Sequence, residues 1–400
     1  MHRTTIIPIV ALLSVTGCSE QSPSRLLAPT APVASSNASP SGPRVITGDA
    51  GKGSLYAIHV PANWNGDVVF YAHGIKPAAA PIELPTGDGF PAVRDALGQL
   101  GYAVAYSSFS ENGWAVKDGA LRTHQLRAKF VSQVGNPRRS FLMGTSMGGL
   151  VVESLAEQFP SEYAGTLAMC APLGGAIAEM NYIANVRVLF DLFYPGVIPG
   201  DVLNIPAGLD LYTGVLGPAQ AAVIANPTGL GIIARMKQTP LAGNNGTELV
   251  TSLLNALAYD VVGIGDLLDR TQGQSMFDNR LTAYAAAAPG LLPPDVIAFV
   301  NASVGRFDAT NHGLKYFDKY FMPDANLQGP TITLHTTRDP LVPVFHASAF
   351  GNAVNDAGRS SLLLQRSVTA YGHCAFSTDD MVNAFTALAS WAETGVKPAN

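Results

Sequence analysis

The segment "SFLMGTSMGGLVVE", Ser140 to Glu153, sets Ser146 between Gly144 and Gly148, where an apolar run ends and a helical pattern begins. A serine hydroxyl is a poor nucleophile until an imidazole accepts its proton, and the imidazole needs a carboxylate to hold its tautomer and stabilise its charged form. Both partners are present downstream. "TTRDPLVP" supplies Asp339 after one apolar run, and "YGHCAF" supplies His373 after the next. Each has a plainer reading: Ser146 as a loop serine, Asp339 as a helix cap before proline, His373 as a surface turn. Their joint occurrence, each at the end of an expected strand, favours acyl-transfer chemistry. His335 at a strand end and His346 on an expected helix could each be a satisfied structural histidine, His59 and His124 lie early in the chain, and Glu153 falls on the helix after Ser146.

The elements that must position these residues can be read from periodicity. Alternation at "SLYAIHVP" (Ser54 to Pro61) and the nearly all-apolar "DVVFYAHG" (Asp67 to Gly74) predict strands separated by the turn residues Asn63 to Gly66. A helix is expected over Phe90 to Gly101, a strand over Tyr102 to Ser108, and a helix over Val116 to Val134. After the turn "GNPRR" come the strand "SFLM", a helix from Met147 to Phe159 stopped by Pro160, and the strand "AGTLAMC", Ala164 to Cys170. Strands alternating with helices imply βαβ units and a mostly parallel sheet covered on both faces. The alternation breaks after Pro172. From there to Gln328 no buried strand is convincing, whereas Leu249, Leu253, Leu257 and Val261 sit at helical spacing and "PPDVIAFV" has prolines suited to a first helical turn. A mainly helical insertion is expected there. The α/β pattern resumes with "TITLH" (Thr331 to His335), a helix near Val344 to Ala357, the strand "LLLQRSV" (Leu362 to Val368) and a last helix over Thr378 to Thr394.

In a chain with 40 glycines, Gly-x-Ser-x-Gly arises by chance, so its place between a buried strand and a helix gives it weight. At this point the chain resembles the α/β-hydrolase superfamily, from roughly Arg44 to Thr394 apart from the insertion. The resemblance implies an α/β class, α/β-hydrolase fold: a mostly parallel sheet flanked by helices, with core segments 44–171 and 329–400 and a large helical cap at 172–328. It implies Ser146 as the nucleophile on a sharp elbow, with Asp339 as the acid and His373 as the base. It also implies oxyanion donors: the Met147 N–H, and an N–H after the early strand, where "AHGI" matches a His-Gly signature and points to Ile75 or Gly74. His73 would orient that loop. The "HC" pair at His373 and Cys374 resembles tannases and fungal-type feruloyl esterases, in which a disulfide joins the residue before the nucleophile to the one after the histidine. This sequence departs from that pattern, since Thr145 precedes Ser146 and Cys170 instead ends the following strand.

Ligands of open α/β sheets bind beyond the carboxyl ends of the strands, which makes Phe109 and Trp114 of "SSFSENGWA" candidate pocket residues. Packing beneath the insertion is the equal alternative. An apolar pocket suits an uncharged ester, small or polymeric. No Cys/His cluster has zinc spacing, and "GDAGKGS" lacks the first glycine of a P-loop, so no metal, nucleotide or flavin cofactor is expected. The leading expectation is a serine hydrolase cleaving carboxylic esters. The alternatives are a cap-containing peptidase and a non-catalytic lipoprotein that binds an apolar ligand.

Charged residues form only 13% of the 400-residue chain, against a norm of about 25%, and the formal net charge is -5. With no Lys/Arg cluster to track a phosphate backbone, nucleic acid is excluded as a partner. His2 and Arg3 precede an apolar stretch from Ile6 to Leu13 that is too short to span a bilayer, and "VTGC" ends at Cys18. This leader resembles a bacterial lipoprotein signal, which implies cleavage after residue 17, lipidation of Cys18, and an envelope location, with Ser19 favouring the outer membrane. Residues 18–43, rich in Ser, Ala and Pro, read as a flexible tether. In such an oxidising compartment Cys170 and Cys374 could pair as a disulfide or remain two buried thiols. Fatty-acid labelling in a bacterial host tests the leader. Wild type is expected to take up label and sediment with membranes, Cys18→Ala to do neither; an unlabelled wild-type product would contradict the lipid anchor.

Overall fold

In the computed structural model, which describes residues 42–399 apart from Lys52, Asp88, Lys319 and Tyr320, eight strands form one sheet. The leader, Cys18 and the tether up to residue 41 lie outside the described residues. The strands are β1 (Arg44–Asp49), β2 (Leu55–Val60), β3 (Asp67–Ala72), β4 (Ala103–Ser107), β5 (Arg139–Thr145), β6 (Gly165–Met169), β7 (Thr331–Arg338) and β8 (Leu363–Tyr371). Their order across the sheet is β1-β2-β4-β3-β5-β6-β7-β8. β2 runs antiparallel to both neighbours, and every pair from β4 to β8 is parallel.

Parallel neighbours require crossover connections, and helices supply them. These are α1 (Phe90–Gln99), α2 (Val116–Gln133), α3 (Met147–Gln158) and α11 (Phe345–Asp356), with a long insertion serving between β6 and β7; α12 (Thr378–Thr394) follows β8 and packs against β6 and β7. The two-residue period of β3 divides its side chains between two cores. Val68, Phe70 and Ala72 pack with Leu126 and Phe130 of α2 and Leu150 and Val151 of α3. Val69 and Tyr71 pack with Phe90 and Val93 of α1 and Phe385 and Leu388 of α12. Both faces of the central strands are therefore covered, as their nearly continuous apolar sequence requires. The architecture is an α/β-hydrolase fold. β1 carries no apolar run: Arg44, Thr47 and Asp49 leave it alternately half-buried and exposed at the sheet edge, so periodicity gives no sign of it.

Between β6 and β7 the chain forms helices α4 (Ala176–Phe193), α5 (Gly217–Ala225), α6 (Thr228–Ile233), α7 (Gly246–Tyr259), α8 (Gly265–Arg270), α9 (Pro294–Ser303) and α10 (Asn311–Phe317). A π-helical turn, Asp260–Ile264, joins α7 to α8 and takes in Val261, the last of the helically spaced positions. Here Asp260, fully buried, accepts a hydrogen bond from Arg187 Nη1 of α4 at 2.8 Å. Arg187 is itself buried, and its Nε donates to both oxygens of Asp191 at 2.9 Å while Nη2 donates to the Gly200 carbonyl at 3.1 Å. Removing one member of such a pair strands a charge in the interior. Arg187→Met is therefore expected to lose about 3–5 kcal/mol of stability in chemical denaturation. The double variant Arg187→Met/Asp260→Leu should lose less than Arg187→Met alone.

Candidate active site

The turn between β5 and α3 is tight enough to dictate its residues. Ser146 sits at φ 55°, ψ −128°, a conformation that costs a non-glycine residue on the order of 1–3 kcal/mol. It is held there because the Ser146 N–H donates to the Met169 carbonyl at 2.8 Å and the Ser146 carbonyl accepts from the Gly149 N–H at 2.9 Å. A Cβ on Gly144 would lie 2.2 Å from the Gly148 carbonyl oxygen, and one on Gly148 only 2.1 Å from that of Ala72. Only glycine allows these backbones to approach so closely.

The ends of β7 and β8 bring the other two residues to this turn. Asp339 is fully buried, and its Oδ1 accepts from the backbone N–H groups of Leu341 and Val342, both at 2.9 Å. These bonds fold the turn after β7 and not a helix start, since α11 begins at Phe345 with Val344 as its N-cap. His373 Nδ1 lies 2.8 Å from Asp339 Oδ2, and its Nε2 lies 2.8 Å from Ser146 Oγ. Because Asp339 can only accept, Nδ1 carries the proton and Nε2 offers its lone pair to the Ser146 hydroxyl, which donates. Ser146 retains 7% exposure and the His373 side chain 23%, so the hydroxyl is reached past the imidazole.

Gly74 lies against the same hydroxyl: a Cβ placed on it would be 3.1 Å from Ser146 Cβ and 3.6 Å from Ser146 Oγ. His73 Nδ1–H donates to the Gly74 carbonyl at 2.6 Å. Burial pushes the His73 pKa down to about 4, so the ring is neutral and can hold that bond. The Gly74 carbonyl and the Ile75 N–H belong to one trans peptide plane and point opposite ways, so fixing the first aims the second. Met147 begins α3, where the first N–H groups of a helix have no intrahelical acceptor. Phe109 is fully buried and stacks on His73 with ring centroids 3.9 Å apart, supporting the loop from behind. Trp114 is also a core residue, and its backbone N–H donates to Asp266 Oδ2 of α8 at 2.6 Å. Both side chains are taken up in core packing. A cleft of about 850 Å³ lies between Pro77–Ala79 and insertion residues that include Leu203, Leu209, Val261, Asp266 and Asp269; none of the triad residues lines it.

Cys170 and Cys374 are joined as a disulfide, with Cα atoms 5.3 Å apart. The bridge ties the residue after His373 to the end of β6, and both cysteines adopt left-handed backbone conformations, φ 44° and 52°. Cys170, His373 and Cys374 bring three metal-capable side chains within 4.8 Å of one another, but the two sulfurs are bonded to each other and offer no thiolate. Of the remaining histidines, His335 Nε2–H donates to the Val342 carbonyl at 2.9 Å, and His124 stacks on Phe159. His59 bonds Tyr106 at 2.9 Å.

Glu179, in the first turn of α4, was not singled out by the sequence. His346 Nδ1 accepts from the Gly174 N–H at 3.1 Å, which puts the ring proton on Nε2, and Nε2 donates to Glu179 Oε2 at 2.7 Å. Burial and the nearby Asp339 carboxylate raise the Glu179 carboxyl well above its usual range, while His373 acts in the opposite sense. Its partner lies 167 residues away, so no local pattern marks it.

No protein-family model matches this sequence, and no curated relative does. Solved structures similar to the chain include feruloyl esterase B from Aspergillus oryzae, with a TM-score of 0.47 and 14% identity over 88% of this chain and 81% of that one. Est1E from Butyrivibrio proteoclasticus gives 0.40 and 11% over 88% of this chain and 100% of its own. Pyrococcus horikoshii acylaminoacyl peptidase gives 0.46 and 10% over 90% of this chain, which spans only 42% of that protein's length. At such identities the likeness extends to the course of the chain and carries no activity with it.

Two outcomes follow from the geometry. Gly148→Ala is expected to abolish the assembled elbow, read as loss of reaction with an active-site serine reagent. Cys374→Ser, or reduction of wild type, should lower kcat by about 10- to 100-fold through displacement of His373, with a smaller change in KM.

Proposed function

We propose that this chain is a serine hydrolase that cleaves carboxylic esters through an acyl-enzyme. The observation that carries the reading is the unbroken hydrogen-bond relay from Ser146 Oγ through His373 to Asp339, at 2.8 Å in each step. In the first half-reaction Ser146 Oγ bonds to the ester carbonyl carbon as its proton passes to His373 Nε2. The carbonyl oxygen becomes an oxyanion facing the N–H groups of Met147 and Ile75 beside Gly74, each worth roughly 3–4 kcal/mol to the transition state. The bond to the alcohol oxygen then breaks, and His373 returns the proton to the leaving alcohol. In the second half-reaction water gives its proton to His373, attacks the acyl carbon and releases the acid, and the proton returns to Ser146. Asp339 stays ionised throughout and stabilises the imidazolium.

An ester is favoured over a free-amine peptide because Glu179, a carboxyl beside the triad on the insertion side, is already engaged by His346. Nothing in the reaction calls for a metal or organic cofactor. With the lipid at Cys18, the enzyme would act in the bacterial envelope.

A panel of p-nitrophenyl esters and aminoacyl p-nitroanilides tests the reading. Wild type is expected to turn over esters in preference to amides, with Ser146→Ala lower by at least about 10⁴-fold in kcat and Asp339→Asn lower by about 10⁴-fold because the imidazole loses its tautomer. Preference for the amides would make the chain a peptidase. A folded wild type without turnover would make it a binding lipoprotein.

A further inference from the structure

The half of α3 remote from Ser146 carries Glu153 and Glu157 on one side of the helix. Glu153 is fully buried, and neither of its carboxyl oxygens has a hydrogen-bond partner. Glu157 accepts from the backbone N–H groups of Asp324 and Ala325, at 3.1 and 2.8 Å. Both acids line a small cavity of about 10 Å³, whose other walls include Tyr163, Gln328, Gly329 and Thr331. That is room for a single small occupant. Asp324 adds a third acid close enough to repel the other two, and among the described residues the groups that act on Glu153 and Glu157 include these acids and no basic side chain. Burial and this repulsion push Glu157 up to about 8 and Glu153 well above the carboxylate range.

A buried carboxyl with both oxygens unsatisfied carries a desolvation cost that folded proteins ordinarily remove with a partner. Among the described residues the walls hold no base to serve. Oxygen is the only donor type the acids and the turn before β7 present, a set that suits hard cations and not zinc or copper. Of the hard divalent ions, Mg²⁺ dehydrates reluctantly and keeps several waters, for which this cavity has no room, whereas Ca²⁺ tolerates a full shell of protein oxygens. We propose that this cavity binds one Ca²⁺, held by Glu153 and Glu157 together with oxygens of the 328–331 turn. The ion would tie α3 to the segment that returns the chain from the insertion to β7. It lies at the other end of α3 from the nucleophile and takes no part in ester cleavage, so its fate is independent of the proposed activity.

The test uses the full chain stripped with EDTA. Equilibrium dialysis against ⁴⁵Ca²⁺ is expected to give one ion per chain, and Tm should rise by about 3–4 °C at a Ca²⁺ concentration 100-fold above Kd. Glu153→Gln keeps the shape and removes the charge. It should bind no Ca²⁺, show no Ca²⁺-dependent shift, and melt at or above the metal-free wild type, because a repelling acid is gone. Its hydrolysis of a p-nitrophenyl ester serves as a fold check and should match wild type. Wild type that neither binds nor responds to Ca²⁺ would overturn the proposal and leave a neutral Glu153 beside a water. An equal Ca²⁺ response in Glu153→Gln would overturn it by placing the ion elsewhere, and an equal response to Mg²⁺ would overturn the choice of ion.

Discussion

The site depends on one close backbone approach, that of Gly148 to the carbonyl of Ala72, where a single added carbon would sit 2.1 Å from oxygen. That contact lets α3 start directly above the end of β3 and forces Ser146 into its left-handed conformation at the sheet's carboxyl edge. The strain this imposes is local, and the cover on both faces of β3 and β5 opposes its release. A serine so placed cannot fold back into the helix, and its hydroxyl is left facing the loops after β3, β7 and β8.

Around that hydroxyl the hydrogen-bond partners of each imidazole assign its tautomer. Asp339 can only accept, so His373 presents a bare Nε2 to Ser146; burial keeps His73 neutral, so its Nδ1–H can clamp the Gly74 carbonyl. The disulfide adds a third restraint, anchoring the loop of His373 to β6 across 204 residues of sequence that include the entire insertion. Under the chain-entropy model a loop of that size restricts the unfolded state by about 5 kcal/mol. Glu179 and His346 join the insertion to α11 next to Asp339, so the helical region is wired into the electrostatics of the site as well as seated beside it.

Most of the sheet was legible because its strands are buried on both faces and announce themselves as short apolar runs between turns. The edge strand β1 was not, since half its side chains face water and its sequence, "RVITGD", has no period to detect. The fold class followed from alternation of strand and helix, and the ends of the predicted strands already located Ser146, Asp339 and His373 near one edge. What local pattern could not supply were contacts closed across long stretches of chain. Phe109 and Trp114 look like pocket aromatics in a loop, and only tertiary structure reveals that one stacks on His73 and the other is buried with its backbone N–H held by Asp266 of α8. Glu179 and the unpaired Glu153 are ordinary helical glutamates by sequence. Their burial makes them distinctive, and burial of a charged residue violates the helix pattern that sequence reading relies on.

The account rests on a nucleophilic hydroxyl activated by the imidazole that lies 2.8 Å from it. Intact-mass analysis after treatment with a fluorophosphonate reads that property directly, without assuming a substrate. One adduct per chain, mapped by peptide sequencing to Ser146 and formed far more slowly in a folded His373→Ala variant, is the predicted result. An adduct on another residue, or an unmodified Ser146 in folded wild type, would contradict it.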